Sequence, residues 1–538
     1  MHPETPLWWQ DVDNPDMSWV IPEELNIHAC CTDLQDSDAL ALIVDRGETP
    51  TERYTFGELG DLSRRLSGYL TEIGLTKGSR VAVMVPQSME CLVAHLAAFG
   101  AGMISVPLSI KFGPDAVGFR LADCEAEALV IDAECWSRVH EAVRNAPNIR
   151  EIIIVGDPDD SATGPGLTPI ARAFDADAME LPTTSSDDPA IIIYTSGTTG
   201  NPKGALHAHR VLLGHMPCVR LANELMPQPG DLYWTPADWA WIGGLFDVVF
   251  TGLALGVPIL AAPGRFSAER CHQLITDHGV RNAFLPPTAL KQLRAADLPG
   301  KLQLRTVCSG GEPVGDALQA WAADHLGTHI NEFYGQTEMN LVVGTRRSAQ
   351  IPPAGSMGRP YSGFTVEIRQ PDGTPAPTGG TGEICVRADN PGAFLGYWNQ
   401  PQKTAEKRVD GWIHTGDLAS IDEDRFLSFA GRVDDVISSA GYRIGPGEIE
   451  ECLMGHPDVA MAAVIGVPDE ERGEAIVAFV VPRDTADTDT LTPELQHRVK
   501  HQLAFYQYPR RIEYVAELPM TTTGKILRRE LRRTADRS

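Results

Sequence analysis

The apolar positions of this chain fall in short runs separated by longer amphipathic stretches. Residues 80–85 (Arg-Val-Ala-Val-Met-Val) predict a strand, 88–101 a helix with an apolar face, and 104–107 the next strand. Residues 129–132 and 151–155 continue the alternation, which predicts βαβ units in a mostly parallel sheet with ligands at strand ends. The stretch 157–169, rich in Pro, Gly, Asp and Ser, predicts an exposed loop. A buried strand is expected at 190–194, and further α/β alternation through 331–333. Residues 242–263 are almost wholly apolar, but Asp247, a run of glycines and Pro258 argue against a membrane span. They predict a core helix ending near Gly256 and then a buried strand. From about Gly355 short strand-like segments with frequent Gly and Pro suggest an antiparallel or barrel-like subdomain. A second change follows Arg432: a turn at Gly441, helices at 448–454 and 494–503, and strands at 460–465 and 475–481 predict a small α+β domain.

Length and charge narrow the function classes. At 538 residues the chain exceeds one core, so two or more domains are expected. The excess of 72 acidic over 45 basic residues gives a formal charge of −27, which disfavours nucleic acid and anionic membranes as partners. Lysines and arginines inside motifs therefore carry more information than usual. The ten cysteines are scattered, with only Cys30 and Cys31 adjacent, as expected for reduced thiols in a cytoplasmic protein. The amino terminus has neither the basic nor the apolar region of a secretory signal, and no membrane anchor is indicated. The basic run at 528–533 reads as a solvated helix face.

The chemistry concentrates in residues 190–204, where an apolar strand breaks into hydroxyls and glycines. Gly197, Gly200 and Gly204 permit close backbone approach, Thr195, Ser196, Thr198 and Thr199 offer hydroxyl donors, and Lys203 supplies charge. That composition suits a phosphate. It is not a Walker loop, because Pro202 stands where the second glycine belongs. A helical pattern is expected to resume near His207, and the His207/His209 pair reads as a helix start rather than a metal site. Five further stretches look chemical: 309–313 (Ser-Gly-Gly-Glu-Pro), 332–338 (Glu-Phe-Tyr-Gly-Gln-Thr-Glu), 414–417 (His-Thr-Gly-Asp), 431–443 and 523–525 (Thr-Gly-Lys).

In this order the motifs resemble the adenylate-forming superfamily of acyl-CoA synthetases, luciferases and peptide-synthetase adenylation domains, over nearly the whole chain. Residues 334–338, 438–446 and 507–513 look most like medium-chain acyl-CoA synthetases. The resemblance implies a large amino-terminal domain (1–433), a small mobile carboxyl-terminal domain (434–538) with its hinge at Asp434, and a two-step reaction. A carboxylate attacks the α-phosphate of Mg-ATP to give acyl-AMP and diphosphate, and the thiol of coenzyme A then displaces AMP. By the same resemblance Thr195, Ser196, Gly197, Thr198, Thr199, Gly200 and Lys203 hold the departing phosphates, and Glu338 ligates Mg2+. Gly311, Glu312, Pro313, Glu332, Phe333 and Tyr334 bracket adenine, with Gly335 and Gln336 adjoining, and Thr337 contacts the α-phosphate. Asp417, assisted by Arg432, accepts from the ribose hydroxyls, and Arg443 is a further phosphate contact. Lys525 is the catalytic cation of adenylation. Gly441 and Tyr442 line the coenzyme A channel, while Arg472 and Lys500 match positions that touch its nucleotide end. Where the family has a lysine before Tyr-Pro-Arg this chain has Gln507.

Trp241 and Gly335 are expected to shape the acyl pocket. Acetyl- and propionyl-CoA synthetases of the family carry tryptophan at the Gly335 position, so its absence here implies medium-chain, branched or aromatic acids and a place in fatty-acid metabolism. The alternatives are a short-chain synthetase and a free-standing amino-acid adenylating enzyme. The latter needs a carboxylate facing the α-amine, and Asp238 and Asp247 read instead as a cap and an exposed side chain. A membrane-associated long-chain synthetase is disfavoured by the absent anchor, and a non-catalytic nucleotide-binding protein by the intact Lys203, Glu338 and Lys525. The sequence is compatible with a homo-oligomer.

Overall fold

Aliphatic and β-branched runs build the first sheet. Arg80–Met84 is buried from Val81 onward and lies parallel to both Ile104–Pro107 and Ala128–Asp132. Such continuous burial is what a parallel strand covered on both faces requires. Glu151–Val155 and Leu167–Pro169 extend the sheet on one side and Pro189–Thr195 joins it on the other, all parallel. Lys203–Ala208 then returns antiparallel to Pro189–Thr195, and Gly396–Tyr397 pairs with its far edge. The helix Met89–Gly100, capped by Ser88, is buried along nearly its whole length. This computed structural model describes residues 17–157, 167–195, 202–296, 298, 300–435, 437–439, 442–469, 472–483, 488–503, 507–520 and 526–535.

Two expectations are corrected here. Leu167–Pro169 is a strand, not the end of an exposed loop, because it pairs with Glu151–Val155. His207 belongs to a strand, and the helix begins only at Val211.

A second sheet runs in parallel through Ile330–Gln336, Thr306–Gly310, Asn282–Phe284, Tyr233–Trp234, Ile259–Ala261 and Leu40–Val44. Antiparallel strands finish its ends: Glu52–Thr55 at one, Asn340–Gly344 followed by Ser356–Pro360 at the other. The apolar 242–263 stretch behaves as expected. A helical segment contains the wide turn Leu245–Phe250, ends before Gly256 and is followed by the buried strand Ile259–Ala261.

By packing, the chain resolves into two compact units. The first holds the described residues up to Thr365 together with Arg387–Ile413, and the second holds Val366–Val386 and the chain from His414 onward. Asp434 lies inside the second. There, Val366–Arg369, Thr381–Arg387, Trp412–Ile421 and Leu427–Arg432 pair in a line. Among the described residues no pairing joins the end strands, so the barrel-like expectation resolves into an open antiparallel sheet. The hairpin of Val459–Asp469 with Gly473–Pro482, extended by Ile437–Ser439 and Arg511–Tyr514, carries the helices Pro446–Met454, Thr488–Gln502 and Arg528–Ala535. Among the described residues no helix is long and apolar enough to cross a membrane.

Candidate functional site

The hydroxyl and glycine loop joins two antiparallel strands rather than a strand and a helix. Thr195 stands opposite Lys203 in the ladder, so the backbone fixes where the loop begins and ends. Ser196, Gly197, Thr198, Thr199 and Gly200 lie outside the described residues. The ammonium of Lys203 stands 4.9 Å from the ring centroid of Tyr397. The phenol of that ring donates to Oε1 of Glu338 at 2.5 Å. Burial, then the neighbouring Glu338 charge, raises the Tyr397 phenol far above its ordinary range, so it is the donor.

Glu338 is 8% exposed. With Oε1 engaged by Tyr397, its second oxygen accepts no hydrogen bond among the described residues. A buried carboxylate joined through one phenol to a lysine is a donor set that fits Mg2+ bound together with phosphate oxygens. The residues leading to Glu338 are held from two sides. Oε1 of Gln336 accepts from Lys407 at 2.9 Å, and Nε2 of His207 donates to the Thr337 carbonyl at 2.7 Å. Burial lowers His207 to about 4, so at neutral pH it is an uncharged donor. Neither Tyr397 nor His207 was singled out from sequence for this role.

The segment that the sequence resemblance assigns to adenine is shaped by backbone. Gly310 pairs with Phe333 across parallel strands, and a Cβ on Gly310 would lie 2.5 Å from the Phe333 ring. Gly311 has φ +89°, which favours glycine. Phe333 stacks on Phe284 at 5.3 Å. Glu312 lies 4.0 Å from Lys291. Glu332 accepts from the Val314 amide at 3.1 Å and from Gln319, and burial raises its carboxyl. Pro313 follows in the connection to helix Asp316–His325. Tyr334 and Gly335 flank a register shift opposite Val343 and Leu341.

Gly335 departs from expectation. A Cβ there would lie 2.0 Å from the Asn340 carbonyl oxygen and 2.9 Å from the Leu341 Cα. The missing side chain therefore does not open a cavity on that side, because the Asn340–Leu341 backbone fills it. Trp241 is half-buried and meets Phe112 edge-to-face at 6.2 Å. Asp238 accepts from Ser109 at 2.6 Å and from the Ala240 amide at 3.0 Å; it stands in the turn before the helix rather than at its cap, which is Trp241. Asp247 is not exposed: it is 2% accessible and pairs with His215 at 2.9 Å.

In the second unit Asp417 and Arg432 are cross-strand neighbours with Nη1 3.6 Å from Oδ1, and Asp417 is buried. Asp434 lies in the single turn Val433–Asp435. Arg443 and Tyr442 belong to the strand Tyr442–Ile444. The Arg472 amide donates to Asp469, and Lys500 lies 3.9 Å over the ring of Tyr508, whose ring Arg510 also approaches at 3.9 Å. Gly441 and Lys525 lie outside the described residues. The basic carboxyl-terminal run is not simply solvated. Arg528 donates to both oxygens of Glu450 at 2.7 and 2.8 Å and to Asp435, and Arg532 also donates to Asp435.

The family described as AMP-binding enzyme matches residues 33–398, and the AMP-binding enzyme C-terminal domain matches 448–525. The acyl-coenzyme A synthetase ACSM4, mitochondrial, of Rattus norvegicus is 34% identical over 90% of this chain and 85% of its own length. An acetyl-coenzyme A synthetase of Bacillus subtilis is 33% identical over 89% of this chain and 85% of its own. Among solved structures, an acyl-CoA synthetase of Brucella canis superposes with a TM-score of 0.74 at 32% identity, covering 97% of this chain and 95% of its own.

Proposed function

This chain belongs to the AMP-binding enzyme family and is an AMP-forming acyl-CoA synthetase, and from that premise we propose that its acid is medium-chain, branched or aromatic. ATP and coenzyme A are its co-substrates. The observation that carries the site assignment is the shared phenol of Tyr397, which joins the buried carboxylate of Glu338 to the lysine that follows the hydroxyl-rich loop. In this reading Thr195 to Gly200 and Lys203 hold the departing diphosphate, and Thr337 contacts the α-phosphate. Bound Mg2+, ligated by Glu338, supplies charge neutralisation to the phosphates. Gly311, Glu312, Pro313 and the 332–336 strand receive adenine, Asp417 and Arg432 the ribose, and Arg443 a phosphate.

Lys525 supplies the cation that adenylation requires, as the acid oxygen bonds to phosphorus and diphosphate leaves. Residues 434–538 then reorient about Asp434, so that the coenzyme A thiol, passing Gly441 and Tyr442, attacks the acyl carbon and AMP leaves. Arg472 and Lys500 serve the nucleotide end of coenzyme A. A cytoplasmic location accords with ten cysteines that form no disulfide, although the rat relative carries a mitochondrial name.

The acid preference rests on Trp241 and on the lack of a side chain at residue 335. A short-chain preference is the second reading, favoured by the Asn340 backbone that backs Gly335. An amino-acid substrate has less support, since Asp238 and Asp247 are both engaged. Coenzyme A-dependent AMP release measured across a panel of carboxylic acids tests the proposal. Hexanoate, branched acids or benzoate should exceed acetate, and acetate in first place would establish the short-chain reading.

A further inference from the structure

Thr381–Arg387 and Trp412–Ile421 are neighbouring strands of the second unit. On the first, Glu383 and Cys385 are two residues apart and so share a face. His414 lies on the second. Its Nδ1 stands 2.8 Å from Oε2 of Glu383 and 3.6 Å from Sγ of Cys385. The three donor atoms lie within 4.8 Å of one another. We propose that Glu383, Cys385 and His414 form a binding site for a divalent transition metal of the zinc type, separate from the magnesium-dependent chemistry.

One edge of the cluster already has the length a tetrahedral site needs, and a second is shorter. With Zn–S near ~2.3 Å and Zn–N near ~2.0–2.1 Å, the N···S edge of a tetrahedron is about 3.6 Å, and the structure gives 3.6 Å. The N···O edge is about 3.4 Å by the same reckoning, so the 2.8 Å hydrogen bond between His414 and Glu383 opens by roughly half an ångström as the ion replaces its proton. A thiolate, an imidazole and a carboxylate select zinc-like ions over Mg2+, which takes oxygen ligands only. The ion's two positive charges are balanced by one thiolate and one carboxylate, so no net charge is buried beside Cys385.

The support around the site is already built. Oε1 of Glu383 accepts the Gly416 amide at 2.8 Å, which aims Oε2 at His414. Thr415 bonds the Ile384 carbonyl at 2.8 Å and accepts the Asp417 amide at 3.0 Å, pinning the two strands together at this point. Three protein ligands leave a fourth position for water. On binding, the Cys385 thiol gives its proton to solvent, and the His414 proton is carried on Nε2 instead of Nδ1. One proton is released per ion.

Chelator-treated full-length protein titrated with Co2+ tests this. One equivalent should produce a near-ultraviolet thiolate-to-cobalt charge-transfer band, which an equimolar amount of Zn2+ abolishes and millimolar Mg2+ leaves intact. Cys385→Ala and Cys385→Ser should lose the band. Glu383→Gln should keep it with affinity at least about tenfold weaker. No band in the wild type at tenfold excess of Co2+ overturns the proposal, as does the same band in both Cys385 variants. The acid preference stands or falls independently of this result.

Discussion

Glu338 and Tyr397, 59 residues apart in sequence, meet as carboxylate and phenol at 2.5 Å in the buried interior. The same ring carries the Lys203 ammonium against its face. One aromatic side chain thus fixes the orientation of the carboxylate through its hydroxyl and the position of the lysine through its π-face.

Tyr397→Phe separates these two roles, because phenylalanine keeps the ring and loses the donor. A hydrogen bond to a charged group is worth about 1.5–3 kcal/mol, so ATP–diphosphate exchange should fall roughly 10- to 100-fold, with a higher Mg2+ requirement. Exchange at the wild-type rate and Mg2+ dependence would show that Glu338 needs no positioning by Tyr397.

His207 gives a prediction in pH as well as rate. His207→Leu leaves the Thr337 carbonyl without its donor and should slow exchange about tenfold, whereas His207→Gln, which retains an N–H, should recover most of it. Burial holds His207 near 4 in the folded protein, against about 6.5 unfolded. Its contribution is therefore fully present above about pH 6.5 and is lost as pH falls toward 4, by on the order of 3 kcal/mol at most. Between about pH 7 and pH 5 the urea midpoint of His207→Leu should drop less than that of the wild type. Equal drops would remove His207 from the acid-sensitive set.

Arg528 binds Glu450 through two hydrogen bonds and reaches Asp435 as well. Arg528→Ala strands the buried carboxylate of Glu450, leaves Asp435 with Arg532, and should cost about 3 kcal/mol of stability. Arg529→Ala, a neighbour with no such pairing among the described residues, should cost less than about 0.5 kcal/mol. Thermal unfolding of both variants makes the comparison, and equal midpoints would return the carboxyl-terminal run to a solvated face.

These outcomes show which parts of the site were legible in the chain. The strand before the loop declared itself, because 190–194 is uninterrupted apolar sequence followed by glycines. The strand after it did not. Lys-Gly-Ala-Leu-His-Ala has no β-branched residue and favours helix locally, and only the ladder with Pro189–Thr195 makes it a strand. Tyr397 and Arg528 were invisible for another reason: each matters through a partner far along the chain, and no local pattern encodes that distance. Asp247 misled because an acid in an apolar run reads as a solvent contact until its buried partner, His215, is known.

Lys525→Ala and Gly441→Leu should divide the reaction in opposite ways. The first should abolish acyl-AMP formation yet still convert supplied acyl-AMP with coenzyme A. The second should block thioester formation and spare exchange if Gly441 lines the pantetheine channel as proposed. Loss of both half-reactions in either variant would make that residue structural.

The last prediction concerns Gly335, for which two causes give different results. If its missing side chain simply opens the acyl pocket, Gly335→Trp should shift preference toward acetate and Gly335→Ala should do little. The structure gives a different expectation, since any Cβ there meets the Asn340 carbonyl at 2.0 Å and the Leu341 Cα at 2.9 Å. These are backbone atoms, and they cannot swing aside as a side chain can. Even alanine must displace the turn that carries Gln336, Thr337 and Glu338, so Gly335→Ala should lower kcat/KM for every acid together, by roughly 5- to 150-fold for a displacement costing about 1–3 kcal/mol. Trp241→Ala is the contrasting change: it removes an apolar wall without touching backbone, and it should alter the ratio between acids, each methylene being worth about 0.8 kcal/mol. The measurement is kcat/KM for acetate, hexanoate and benzoate in the wild type and both variants. A Gly335→Ala enzyme that gains acetate preference while keeping its overall rate would show that the Asn340 turn yields readily, and that the residue acts as an open pocket floor after all.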